Sequence, residues 1–186
     1  HARISAPLRV HFSRLATVAS VGVNVRPDIR VSPGLFWSSA TEPMASALEN
    51  VPATASSVGQ ADFGPEKTIN GSGLDDNDLH STEATDMWLS DNEPSGAWIQ
   101  YELDKVYQLH QMWVWNSNQI IESFVGLGAK DVTVTYSVAG EEWAQLEDVA
   151  PFAQATGSAD YTANTTVELA VAFAKYVRIS INTGGG

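Results

Sequence analysis

The fold is decided by Gly96-Ala97-Trp98-Ile99-Gln100-Tyr101-Glu102-Leu103-Asp104-Lys105-Val106-Tyr107-Gln108-Leu109-His110-Gln111-Met112-Trp113-Val114-Trp115-Asn116. Trp98 to Leu103 is dense in aromatic and branched side chains, which suit a pleated, half-buried surface. Asp104-Lys105 reads as a turn. Val106 to Trp115 then reads as a second strand, with Met112 and Val114 on one face and Trp113 and Trp115 on the other. Working outward, Asp131 to Ser137 alternates cleanly, and Ala139-Gly140 makes a hairpin turn towards Trp143 and Leu146. Thr165 to Leu169 and Tyr176 to Ile181 are two further strands. Many short strands separated by turn signals predict an all-β antiparallel sandwich or barrel. No strand–helix–strand alternation appears, which argues against a doubly wound sheet. One short helix is expected, where Thr41-Glu42-Pro43 caps Met44-Ala45-Ser46-Ala47-Leu48.

The 186 residues carry 44% hydrophobic side chains, enough to bury a core. The formal net charge is −12. An acidic surface is repelled by phosphate backbones, so nucleic acid is not the expected partner. With no cysteine, disulfide scaffolds, thiolate zinc sites and cysteine nucleophiles are excluded. No apolar run approaches the ~20 residues that span a bilayer as a helix.

The charge is uneven. Residues 1–30 hold five arginines against one acid, Asp28, and the body is correspondingly more acidic. Val21, Val23 and Val25 alternate with Gly22 and Asn24 as a strand would. The segment is either a structured arm or a leader-like extension. The chain divides into a basic arm at 1–34, a short helix and linker at 35–52, and a β-domain at 53–186.

A family resemblance follows from motifs that recur in order. They are Thr68-Ile69-Asn70-Gly71, Met87-Trp88-Leu89-Ser90, Gly96 to Leu103, Trp113-Val114-Trp115-Asn116, Gly128 to Val134, Ser137 to Trp143 and Ala174 to Ile179. Together they resemble the coagulation-factor type C, or discoidin, domain, whose fold also serves galactose-binding-like carbohydrate-binding modules. The likeness covers roughly Ala53 to Asn182. It implies a jelly-roll β-sandwich that is a non-catalytic accessory, secreted or at the cell surface, with glycans as partners. Three departures stand out. Asn70-Gly71 and Ala139-Gly140 replace the family's Asp-Gly turns, and no closing strand of the form Gly-Leu-x-Glu-Val-x-Phe follows Ile181. An open sandwich edge recruits a strand. Residues 9–25 could supply it to a neighbouring molecule, giving a homo-oligomer and a surface assembly, or to their own chain in a permuted fold.

Two long irregular stretches, 70–87 and 116–130, are the expected ligand loops. Phe124 sits among polar residues in the second and is the stacking candidate for a sugar ring. Asn116 and Asn118 flank it with carboxamides, which both donate to and accept from hydroxyls; turn formation is their competing role. His80 could face a sugar hydroxyl or cap a turn. Trp88, Trp98, Trp113, Trp115 and Trp143 are expected in the core. The 70–87 stretch is rich in acids and weighs equally as a solvated loop. In modules of this resemblance a structural Ca²⁺ sits near the Asn70-Gly71 turn, which would make Asn70 and Asp86 ligands. No nucleophile elbow, metalloprotease helix or phosphate loop is present, so no catalytic residue is expected.

Overall fold

Trp98–Trp115 forms one long strand, and the other elements are arranged along it. The computed structural model describes residues 9–14, 46–48, 51–91, 96–169 and 172–185. Its strands are β1 (Arg9–Arg14), β2 (Ser46–Ala47), β3 (Ala53–Ala55), β4 (Trp98–Trp115), β5 (Val132–Ser137), β6 (Ala144–Gln145), β7 (Thr165–Glu168) and β8 (Phe173–Ile181). Among the described residues helix is confined to one turn of α-helix, α1 (Glu122–Val125), and two 3₁₀ turns at Pro65–Thr68 and Ala84–Asp86. Every strand pairing is antiparallel.

The Asp104-Lys105 turn is realised as a bulge. Glu102 pairs with Tyr176 and Tyr107 with Ala174, so the register slips between them and the ribbon bends. The first half of β4 pairs with β3 and β8, and β8 continues to β5 and β6. The second half lies between β7 and β1. Both halves line one core: Ile99, Tyr101 and Leu103 from the first, Leu109, Met112 and Val114 from the second. Val134, Val167, Val177, Ile179 and Ile181 fill the space between. Each such aliphatic side chain contributes roughly 1.5–3 kcal/mol by leaving water. The product is an antiparallel β-sandwich. Its two ribbon ends meet, because Asn116 Nδ2 donates to Ala129 O at 2.7 Å and Ala129 bridges Gly184. The loops 116–131 and 150–164 therefore gather at one end, and the β5–β6 hairpin lies at the other.

β1 runs beside β4 of the same chain, with Val10 opposite Val114 and Phe12 opposite Met112. The arm thus closes its own sandwich edge, the permuted arrangement, at Arg9–Arg14; residues 15–25 lie outside the described residues, as does the Val21–Val25 alternation. The expected helix is not continued at Ser46–Ala47, which pair with β1 as a strand. Tertiary pairing overrides the weak helix preference of small residues there; Thr41 to Ala45 lie outside the described residues.

The tryptophans divide. Trp88 is wholly buried, and Trp115 joins a second cluster with Ala155 and Tyr161. Trp113 is exposed, and Trp98 and Trp143 are half-exposed on the outer sheet face, against the expectation of core packing. There the Arg178 guanidinium carbon lies 4.7 Å from each of the Trp98 and Trp143 ring centres. The same guanidinium donates through Nε and Nη2 to Gln100 Oε1, at 3.1 and 2.7 Å. The cation covers the rings that the core does not.

Candidate functional site

The loop end is built on three polar side chains beneath an apolar cap. Asn118 is fully buried. Its Nδ2 faces the carbonyls of His80, Ser81 and Ser158 at 2.9, 3.1 and 2.8 Å, and its Oδ1 accepts from Gly157 N at 2.9 Å. One carboxamide therefore ties the 70–87, 116–130 and 153–164 segments together. Asn116 donates to the carbonyls of Ala129 and Ala153, and its Oδ1 accepts from the amides of Ser117 and Ala129. The Asn116 amide in turn donates to the buried Tyr161 hydroxyl at 2.8 Å, and that hydroxyl donates to Asn164 Oδ1. Burial holds the Tyr161 hydroxyl well above the ordinary phenol range, with the Glu122 charge adding to it and the Asn116 amide opposing. His80 is 2% exposed; its Nδ1–H donates to Ser81 O at 2.8 Å, and its amide donates to Tyr161 O at 2.8 Å.

These findings correct the expected roles of Asn116, Asn118 and His80. All three are buried and bound to protein groups, so they do not offer hydrogen bonds to a surface ligand. The donors and acceptors that suit a sugar also suit the buried backbone ends of irregular loops, and here the backbone takes them.

Phe124, the stacking candidate, lies at the surface of this end. It is 89% exposed, on α1, with Ile120, Ile121 and Val125 exposed around it. The turn is braced from below. Buried Glu122 accepts from Gly128 N through Oε1 at 2.9 Å, and its carbonyl accepts from Gln154 Nε2 at 2.7 Å. Gly126 ends the turn at φ +64°, where a Cβ would also come within 3.0 Å of the Gly185 Cα. A polar segment flanks the cap: Gly157 packs against the carbonyls of Gln119 and Ile120. Next to it the hydroxyls of Thr156 and Ser158 share a 3.0 Å hydrogen bond, and Ser158 also donates to Asp160. The roles of Ile120, Ile121, Val125, Thr156, Ser158 and Asp160 were not read from the sequence. The signal was present as apolar residues at 120, 121, 124 and 125, a helical spacing closed by Gly126.

The acidic loop is largely self-satisfied. Asp75 Oδ1 accepts from the amides of Asn77 and Leu79, and the Leu79 and Asn77 amides hold this carboxyl below its usual range. Asn70 Oδ1 accepts from Ser72 N at 2.8 Å. Asp86 accepts from the hydroxyls of Ser72 and Ser81 at 3.1 and 2.5 Å. Asn70 and Asp86 are thus brought together through Ser72. No group of three His, Cys, Asp or Glu side chains that could hold a metal occurs among the described residues. Lys and Arg are absent from 74–91 and 153–164, and Lys130 is the one basic residue of 116–131, so acidic groups outnumber basic ones at this end.

The F5/8 type C domain family model matches residues 52–186. The chain belongs to this family. Two solved structures resemble the F5/8 type C domain described here. One is a putative alpha-L-fucosidase from Bacteroides thetaiotaomicron, at 22% identity and a TM-score of 0.46, covering 73% of this chain. This chain spans only 25% of that protein's length. The other is CpGH89CBM32-5 from Clostridium perfringens, solved in complex with GalNAc-β-1,3-galactose. It has 16% identity and a TM-score of 0.45, with 74% of this chain and 87% of that one covered. No curated protein matches the chain. Among the described residues no helix is long and apolar enough to cross a membrane.

Proposed function

We propose that this F5/8 type C domain is a non-catalytic, extracellular carbohydrate-binding module that recognises neutral sugars at the Phe124 end. The observation that carries this reading is the 89% exposure of Phe124 on a turn whose base is fixed by Glu122, Gln154 and Asn118. An aromatic ring held in water without a partner loses solvation free energy unless something covers it. A pyranose covers such a ring with its C–H face while its hydroxyls meet polar groups at the margin. Thr156, Ser158 and Asp160 are the marginal groups in this reading. The scarcity of Lys and Arg in these loops, where Lys130 is the one basic residue, weighs against uronate or sulfated glycans.

Isothermal titration against matched neutral galactose-type and uronic-acid oligosaccharides tests it. Binding of the neutral set, lost in Phe124→Ala, is the expected result. Preference for the uronic-acid set, or binding unaffected by Phe124→Ala, would refute it.

A further inference from the structure

At the opposite end of the sandwich the β5–β6 hairpin is pinned at three points. Ser137 Oγ accepts from Gly140 N at 2.8 Å, Trp143 Nε1 donates to Gly140 O at 3.1 Å, and the Trp143 ring takes the Arg178 guanidinium. Gly140 turns the chain at φ +83°. Between this fixed hairpin and the start of β8 lies a cavity of about 450 Å³, walled by Tyr136, Val138, Trp143 and Phe173 and edged by Glu141 and Glu142. Such a volume falls in the range of small-ligand sites. The length of β5, on the order of 20 Å, separates it from the Phe124 cap.

Two features of this cavity bear on what it could hold. Val138 and Phe173 are large apolar residues left 53% and 59% exposed across it. Glu141 and Glu142 are its only charged groups, and neither has an ion-pair partner among the described residues. The unpaired carboxylates favour a cation, and the exposed Val138 and Phe173 favour an apolar or ring-shaped body to carry it; the Trp143 ring already holds Arg178.

We propose that this cavity is a second ligand site, for a sugar unit bearing a free primary ammonium group. The choice of a sugar as the carrier rests on the carbohydrate-binding reading, whereas the choice of charge rests on the cavity alone. The C–H face of the pyranose lies against Phe173 and Val138, and the ammonium lies by Glu141 and Glu142. N-acetylation removes that charge and should remove the affinity.

The test is an NMR amide-shift titration of the whole chain with a trimer of β-1,4-linked glucosamine, its N-acetylated counterpart, and a lysine tripeptide, at low salt. The expected result is saturable shifts at residues 137–144 and 173 with the amine trimer only. Glu141→Gln/Glu142→Gln should weaken it about tenfold or more, and Phe124→Ala should leave it unchanged. Equal binding of the acetylated trimer, an undiminished double variant, tighter binding of the lysine peptide, or no shifts would each overturn the proposal. Dependence on Phe124 in the neutral-sugar titration is scored separately, so failure at one end does not register as failure at the other.

Discussion

Asn118→Ala separates a scaffold role from a ligand role most sharply. The carboxamide has two N–H donors facing three carbonyls, and an oxygen that accepts one amide. That amounts to about three full hydrogen bonds, each worth ~1–1.5 kcal/mol net when its partners cannot reach water. The residue is fully buried, so truncation also opens a small polar void at the junction of three loops. The expected loss is ~3–4 kcal/mol, a large part of the 5–15 kcal/mol typical of a domain. For a domain of this size that lowers the melting temperature by roughly 6–16 °C. Asn118→Asp should be worse, because it turns a carboxylate towards the carbonyls of His80, Ser81 and Ser158. The assay is urea unfolding followed by tryptophan fluorescence, with thermal melts as a check. A loss below ~1 kcal/mol for Asn118→Ala, accompanied by abolished sugar binding, would refute the assignment of this residue to the scaffold.

Four further outcomes are expected. Phe124→Ala should change stability by no more than ~0.5 kcal/mol, as for other surface substitutions, yet weaken neutral-sugar binding at least about tenfold; chemical unfolding and calorimetry report the two. Arg178→Ala should cost ~2 kcal/mol in urea unfolding, from two cation–π contacts and the paired bonds to Gln100, and Arg178→Lys should recover only part of it. The Tyr161 hydroxyl is held above the pKa of an unfolded phenol, so its contribution is complete below about pH 10 and lost as pH rises further. Phenolate absorbance should then show one tyrosine ionising only with unfolding. Removing divalent ions with a chelator should leave the melting temperature within about 1 °C, since Asn70 and Asp86 are bonded to Ser72 and Ser81; a larger drop would restore the calcium reading.

Where the sequence was legible, the reason is periodicity. The strands at β4, β5, β7 and β8 follow from alternation, and the Ala139-Gly140 hairpin from a glycine that takes φ +83°. What alternation does not carry is the identity of the faces. Trp113 and Trp115 share a parity, yet Trp113 is exposed while Trp115 is covered by Ala155, Tyr161 and the Asp78 carbonyl. That cover comes from loops whose path no local pattern dictates. The pairing of β1 with β4 was likewise visible only as an alternative, because a strand says nothing local about which edge it will join.

The site was half legible for a related reason. A residue type announces what a side chain can do, not which neighbour will ask it to. Asn116, Asn118 and His80 have the chemistry of sugar recognition, and the same chemistry satisfies buried backbone at a junction of irregular loops. The demand from the backbone is met first, because an unpaired buried carbonyl or amide costs ~1–3 kcal/mol in every folded molecule, liganded or not. In the proposed reading the polar groups that meet a ligand are the side chains of Thr156, Ser158 and Asp160, whose mutual bonds lie at the exposed margin. Apolar side chains follow the opposite rule. Core positions are filled first, and Ile120, Ile121, Phe124 and Val125 gain nothing from the core because the Glu122 brace turns them outward. A contiguous apolar group kept in water by buried polar bonds is stabilised only when something binds it, and so the exposed ring, more than the buried amides, carries the argument for recognition.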